Sequence, residues 1–567
     1  MIPPAQFDPA TLAIWTTTGA LATSEAEIAA ATMRLAARGE DISKSLSNIP
    51  EENPLRARLV WLASSVWHEK RHYFDTCLTN YGARRFRNLF NLAANLGPLL
   101  VDAKERGEPV WFPVEVYGYP PTVRKIFGIP DPPPNILQSA TLARSMKSFT
   151  SQLDAGPASG DRLIELGGGS QMEGLAQVSQ SHSVEYFFGL DDLKAISERY
   201  IHKLPQQGPY RAIEAVAGAL GCSKDIGGMV AVNTTLAAAL FVTALCGRYF
   251  GAGHEPDEDL IAPWPRLAKM IEGLGPKPGH FDMLDDEAVE MVDKVARQLW
   301  GRTALEEIAA DIDLMEEKVS LSQAPWIEEG GLYDAYVDFI ALRRRLLGAV
   351  QKMGSASLLP RAFPEKWLNR LRPWHVVATP DGGSERDDSV VVFGVTLNLP
   401  EQLRESLASE VSWGRLYAES DELAGEFAPQ NREAWLQMLE RQGPFALLML
   451  NGRRHRRMIS PELDRPLKEI EGLGISVRFH PRFEWPEDRD QKTRTREAIA
   501  LAEFAGRKTF VCDITGEEIE PAIAAVLTPW EFRNSKLLPR FREGGVINEI
   551  MLVTNWADWV VRGDLLD

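Results

Sequence analysis

Cysteine and histidine are scarce in this sequence, and no apolar run is long and uninterrupted. The four cysteines, Cys77, Cys222, Cys246 and Cys512, include no close CxxC pair. That argues against a disulfide framework and a cysteine-type zinc site. The best candidate for a membrane span, Met229–Gly247, is broken by Asn233, Thr234, Thr235 and Thr243. It falls short of the about 20 strongly apolar residues that a span needs, and it reads as a buried helix. Positive charge is also short: 62 Lys and Arg stand against 79 Asp and Glu, a formal net charge of −17. This balance argues against a nucleic-acid partner, because proteins that bind nucleic acid carry a basic footprint. The opening residues, MIPPAQFDPATLAIW, lack the basic n-region and long apolar core of a signal peptide. There is no internal repeat and no low-complexity tract. The expectation is a protein without a membrane span, in a reducing compartment, hence cytoplasmic.

What is present is globular. Apolar residues make up 44% and charged residues 25%, so a disordered chain is excluded. The 567 residues correspond to about two to four domains at ordinary domain size. Residues 1–365 read as mainly helical. Ser24 with Glu27 forms a capping-box pattern opening Ser24–Arg38. Pro54–Leu78 carries Leu55, Leu59, Leu62, Val66 and Phe74 at helical spacing. Pro109–Pro134 holds too many prolines for a continuous helix and reads as a long loop that covers a cleft. After a boundary within 355–374 the texture changes. Short β-rich runs at His375–Ala378, Ser389–Leu399, Phe445–Leu450, Ile475–Phe479 and Thr509–Ile514 alternate with helical stretches. That alternation predicts an α/β domain over 366–567 with a largely parallel sheet. The fold class expected is therefore a mainly α region followed by an α/β domain, multidomain α+β overall.

The chemistry concentrates in His68-Glu69-Lys70-Arg71-His72, an HExxH pentapeptide inside the predicted helix. Histidines at i and i+4 project from one helix face, about one turn apart, so both imidazoles can reach one metal ion. Glu69 projects about 100° round the helix, where it can take a proton from water at the metal. Lys70 and Arg71 imply a flank that is wet or paired with acids.

This pentapeptide resembles the active-site helix of the zincin metallopeptidases. Met172-Glu173-Gly174-Leu175-Ala176-Gln177 resembles the EGxA helix start of the glutamate-type members, the gluzincins. The resemblance implies zinc held by His68, His72 and Glu173, with Glu69 as general base. A helix beginning near Gly169 would put Glu173, Ala176, Gln177, Gln180 and Val184 on one face. Asp75 competes as third ligand, or accepts the ring N–H of His72 and orients it. Tyr186, Tyr117 and Tyr119 are the candidates for steadying an oxyanion.

Two other readings stay open. Gly160–Ser170 resembles the first motif of class I methyltransferases, a strand and a Gly-rich turn at S-adenosylmethionine. A non-catalytic scaffold, or a subunit of a multi-protein system, would suit a large acidic helical chain with 15 Trp. The favoured expectation is a zinc-dependent hydrolase acting on a peptide or protein substrate, with a protein partner possible through the C-terminal domain.

Overall fold

The computed structural model describes residues 5–9, 12–17, 23–47, 49–50, 53–112, 114–119, 121, 124, 128–152, 166–196, 209–226, 229–248, 262–276, 281–321, 332–378, 390–394, 412–417, 426–431, 433–435, 474–479, 510–511 and 518–519. The described residues are mostly helical, so the mainly α architecture stands. The chain divides into two compact units. One holds Met1–Arg87, Ala158–Thr396 and Glu410–Arg441; the other holds Asn88–Pro157, Leu397–Ser409 and Gln442–Asp567.

The first unit is built round Pro54–Leu78, one 25-residue helix that carries the pentapeptide. Pro54 opens it, and the Asn53 side chain accepts the Leu55 N–H. Both satisfy the usual demands of a helix N-terminus. At the other end Arg343, fully buried, donates to the carbonyls of Cys77 and Leu78 and pairs with Asp311 at 2.8 Å. A cation on these last carbonyls complements the negative end of the helix. The second important helix, Gly168–Phe188, lies antiparallel to the first. Glu173 meets His68, Gln180 donates to Ser64 at 2.9 Å, and Phe187 and Phe188 pack on Trp67. From Glu173 to Gln180 the numbers ascend on this helix while their partners on the other descend from His68 to Ser64.

Helix Thr23–Arg38 packs on the same central helix. Thr303 and Glu306 open Ala304–Leu321 with a reciprocal capping box. The stretch expected as one helix over Met229–Gly247 is a helix only from Thr235 to Ala244. Met229–Val232 instead pairs antiparallel with Ser223–Ile226, and Asn233 caps the helix by accepting the Thr235 N–H. Among the described residues, no helix is long and apolar enough to cross a membrane.

A five-stranded sheet completes this unit, in the order Ala5–Asp8, Ala13–Thr17, Trp374–Ala378, Ser412–Tyr417, Val390–Gly394. The largely parallel arrangement is corrected for these strands: only Ala13–Thr17 with Trp374–Ala378 is parallel, and the other three pairings are antiparallel. Two of its strands come from the N-terminus, where β pairing had not been foreseen. The β-rich run at Phe445–Leu450 and the helical stretches expected at Glu401–Val411 and Ala498–Ala505 lie outside the described residues.

In the second unit, Pro134–Gln152 packs on a 3₁₀ turn at Val114–Gly118. Val110–Phe112 pairs in parallel with Val477–Phe479. Arg124 ties the Pro-rich stretch together by donating to the carbonyls of Tyr117 and Tyr119 and to Asp131. As the prolines require, this stretch is no continuous helix.

Candidate metal centre

His68 and His72 rise from one face of the central helix, and Glu173 faces them from its antiparallel neighbour. His68 Nε2 lies 3.1 Å from Glu173 Oε2 and 3.1 Å from His72 Nε2. His72 Nε2 lies 3.4 Å from the same carboxylate oxygen. Two ring nitrogens and one oxygen thus form a nearly equilateral triangle. Each imidazole has one lone pair, and two such lone pairs repel unless a proton or cation lies between them. One proton can bridge only one edge of the triangle. An ion can serve all three corners. Ligand atoms at metal-bonding distance from a tetrahedral zinc would stand about 3.3–3.4 Å apart, close to the spacing found. Among the described residues these three form the one cluster able to hold a metal ion.

The cluster is dry on the histidine side and open on the glutamate side. The side chains of His68 and His72 are 9% and 12% exposed, that of Glu173 35%. A fourth position at an ion here is therefore within reach of solvent. Burial alone would raise the Glu173 pKa, but the charge of His72 and hydrogen bonds from both histidines hold it well below the usual carboxylate range. Burial alone would lower His72, yet the charge and hydrogen bond of Glu173, with smaller contributions from Glu69 and Asp75, raise it to about 8. Each partner holds the other in its charged form.

Glu69 is half-buried beside the triangle. Burial raises its pKa, the largest effect, against the opposing charges of His72 and His68. Its Oε2 accepts the main-chain N–H of Phe7 at 2.8 Å. The outer nitrogen of His68, Nδ1, is buried with no hydrogen-bond partner among the described residues. Packing therefore orients this ring: His72 lies edge-on at 4.8 Å and Tyr210 at 6.0 Å between ring centroids.

Comparison with known proteins gives no matching family model, no matching curated protein and no matching solved structure.

The flank of the motif is dry, and at Arg71 it carries the acid that was expected. Lys70 is fully buried and donates to the carbonyls of Ala37 and Leu368 at 2.7 and 2.6 Å. Arg71 is also fully buried, paired with Asp75 and lying over the rings of Phe74 and Phe363. Neither charge faces water: Arg71 is paired with an acid, and main-chain carbonyls accept from Lys70. Asp75 is corrected accordingly. Its two oxygens face Arg71 at 2.9 and 3.0 Å, and its influence on His72 runs through space. The third corner belongs to Glu173.

Tyr186 lies more than three turns beyond Glu173 on the same helix, about 20 Å along the axis, and is 59% exposed. Tyr117 and Tyr119 belong to the other unit, where the Tyr117 hydroxyl accepts the Trp111 N–H. The aromatic residue at the site is Tyr210, on the turn Pro209–Arg211. Nothing in its local sequence marks it. Gly167 caps the Glu173 helix, and Gly168 sits where a Cβ would fall 2.6 Å from the Tyr81 ring. Close packing thus accounts for that glycine. Residues 153–165, which would hold the strand of the methyltransferase reading, lie outside the described residues.

Proposed function

We propose that this protein is a metal-dependent hydrolase, with zinc as its ion and a peptide or amide bond as the bond it breaks. The observation that supports the reading is the triangle of His68 Nε2, His72 Nε2 and Glu173 Oε2, with edges of 3.1, 3.1 and 3.4 Å and a carboxylate, Glu69, beside it. Two imidazoles and one carboxylate are a donor set that suits zinc, and three protein ligands leave a position open, as in catalytic sites. When bound, such an ion acts as a Lewis acid on water and on a carbonyl oxygen. His68, His72 and Glu173 would hold it. Glu69 would take a proton from the attacking water and return it to the leaving nitrogen. The raised pKa of Glu69 suits a group that must accept a proton and then release it. Tyr210 would form one wall of the cleft. The resemblance of the pentapeptide and of Met172–Gln177 to gluzincins supports the peptide as substrate.

The C-terminal part of the chain would serve substrate or partner recognition, and the scarcity of cysteine supports a reducing, cytoplasmic setting.

The test is metal content by mass spectrometry on purified protein, with His68→Ala and Glu173→Ala beside wild type. One zinc per chain, lost in both variants, is the expected result. No metal in wild type after reconstitution with zinc would overturn the reading.

A further inference from the structure

Among the described residues the strand Ala5–Asp8 is an edge: it pairs with Ala13–Thr17 and no other strand of the sheet. Phe7 stands opposite Ile14. In an antiparallel ladder each residue's N–H points either at its neighbour strand or away from it. The Phe7 N–H points away and donates to Glu69 Oε2 at 2.8 Å. The ring of the same residue stands edge-on to Tyr73, 6.2 Å between centroids. Tyr73 follows Glu69 by four residues, so both lie on one face of the central helix. One residue of the strand therefore grips the helix at two points a turn apart. Phe7 and Tyr73 are both buried, and the Tyr73 hydroxyl is anchored on the Phe427 carbonyl.

This grip acts on Glu69 rather than on the metal ligands. Among the described residues, His68, His72 and Glu173 make no hydrogen bond to the strand. A glutamate side chain has three torsions, and its terminal one is broad and two-fold. A main-chain donor built into a sheet lacks that freedom. It fixes one carboxylate oxygen and leaves the other for a different donor. Groups that carry out chemistry need such support, because a displacement of about 1 Å is costly.

We propose that Phe7 is a positioning residue: its main-chain N–H holds Glu69 in the rotamer whose remaining oxygen faces the water to be deprotonated. The proposal rests on the reading of Glu69 as general base at a metal site. It assigns the N-terminal edge strand a part in the reaction, although no side-chain atom of that strand need touch substrate.

The test uses cobalt(II) in the full-length chain, because its visible d–d bands report the geometry and hydrogen bonding around the ion. Four forms are compared with wild type. In one, the Phe7 amide becomes an ester, which replaces the N–H by oxygen and keeps the ring. The others are Phe7→Leu, Glu69→Gln, and the ester combined with Glu69→Gln. All should bind one cobalt per chain. Phe7→Leu keeps the N–H, so its spectrum should superimpose on wild type. The ester should lose the wild-type bands and move towards the Glu69→Gln spectrum. In the Glu69→Gln background the ester shift should shrink, because the carboxylate whose orientation the N–H sets is gone.

The proposal is overturned if the ester spectrum matches wild type, if Glu69→Gln itself matches wild type, or if the ester shift persists undiminished without Glu69. A wild type that binds neither cobalt nor zinc would overturn the metal reading first, and this proposal with it. That failure is recognisable before any variant is compared. Phe7→Pro, which also lacks the N–H and which an edge strand tolerates, repeats the test by ordinary mutagenesis and should follow the ester.

Discussion

Lys70 Nζ donates to the carbonyl oxygen of Leu368 at 2.6 Å, across 298 residues of sequence. The same ammonium reaches Ala37 O at the end of helix Thr23–Arg38. Gly39, at φ +69°, lets the two segments close: a Cβ there would lie 2.3 Å from Leu368 O. The Gly39 and Glu40 amides turn back to Ala36 O and Leu35 O, the paired bonds of a Schellman motif. A lysine inside an apparent metal-site motif thus acts as a clamp between distant parts of the chain.

Lys70→Met should therefore unfold the protein more easily while leaving the ligand face intact. Two buried carbonyls lose their donor, a loss of about 2–4 kcal/mol. Urea midpoints would show it. Lys366→Ala, which removes an exposed pair with Glu365, should hardly move the midpoint.

Glu69→Gln should keep zinc and lose turnover. The side chain is not a corner of the triangle, so metal content should stay at one per chain. The rate should fall by about 10²–10⁴, the usual contribution of a positioned base. Hydrolysis of a peptide mixture, followed by mass spectrometry, checks the rate. Loss of zinc in this variant would place Glu69 among the ligands instead.

Gly168→Ala should loosen the entry to the Glu173 helix, because its Cβ meets the Tyr81 ring. Overpacking of this kind costs about 1–3 kcal/mol, and a shifted helix start should weaken zinc binding as well. Gly169→Ala has no atom within 4 Å of its Cβ and should change neither. Thermal melting and zinc titration of the two variants side by side decide the point.

His375 predicts an acid limb in stability. Burial, then the charges of Arg34, Lys70 and Arg38, push its pKa down to about 3, while its Nε2 pairs with the Thr16 hydroxyl at 3.0 Å. Unfolded, it titrates near the ordinary value of about 6.5. Between those values the unfolded chain binds the extra proton, so stability rises with pH. This contribution is whole above about pH 6.5 and drains away as pH falls towards 3. His375→Gln should flatten the slope of denaturation midpoint between pH 7 and pH 5. An equal slope in both proteins would assign the limb to other groups.

Local rules made the centre of this site legible. The spacing of His68 and His72 is a property of any α-helix, so the pair needed no tertiary information. The helix carrying Glu173 was legible for the same reason, from its Gly-rich entry and its start near Gly169. Asp75 misled because an i,i+3 neighbour of His72 is also the i,i+4 neighbour of Arg71, and the buried guanidinium has the stronger claim on a carboxylate. Tyr210 carried no signal, since a tyrosine on a short turn looks like any other.

By itself, then, the sequence determined the periodic helices and the histidine pair at i,i+4, because each follows from neighbours a few residues apart. Tertiary structure alone decided that Glu173 rather than Asp75 closes the triangle, that Lys70 and Arg71 are dry, and that the Phe7 amide meets Glu69. Those outcomes depend on which distant backbone carbonyls and amides need partners once buried, and no local pattern records them.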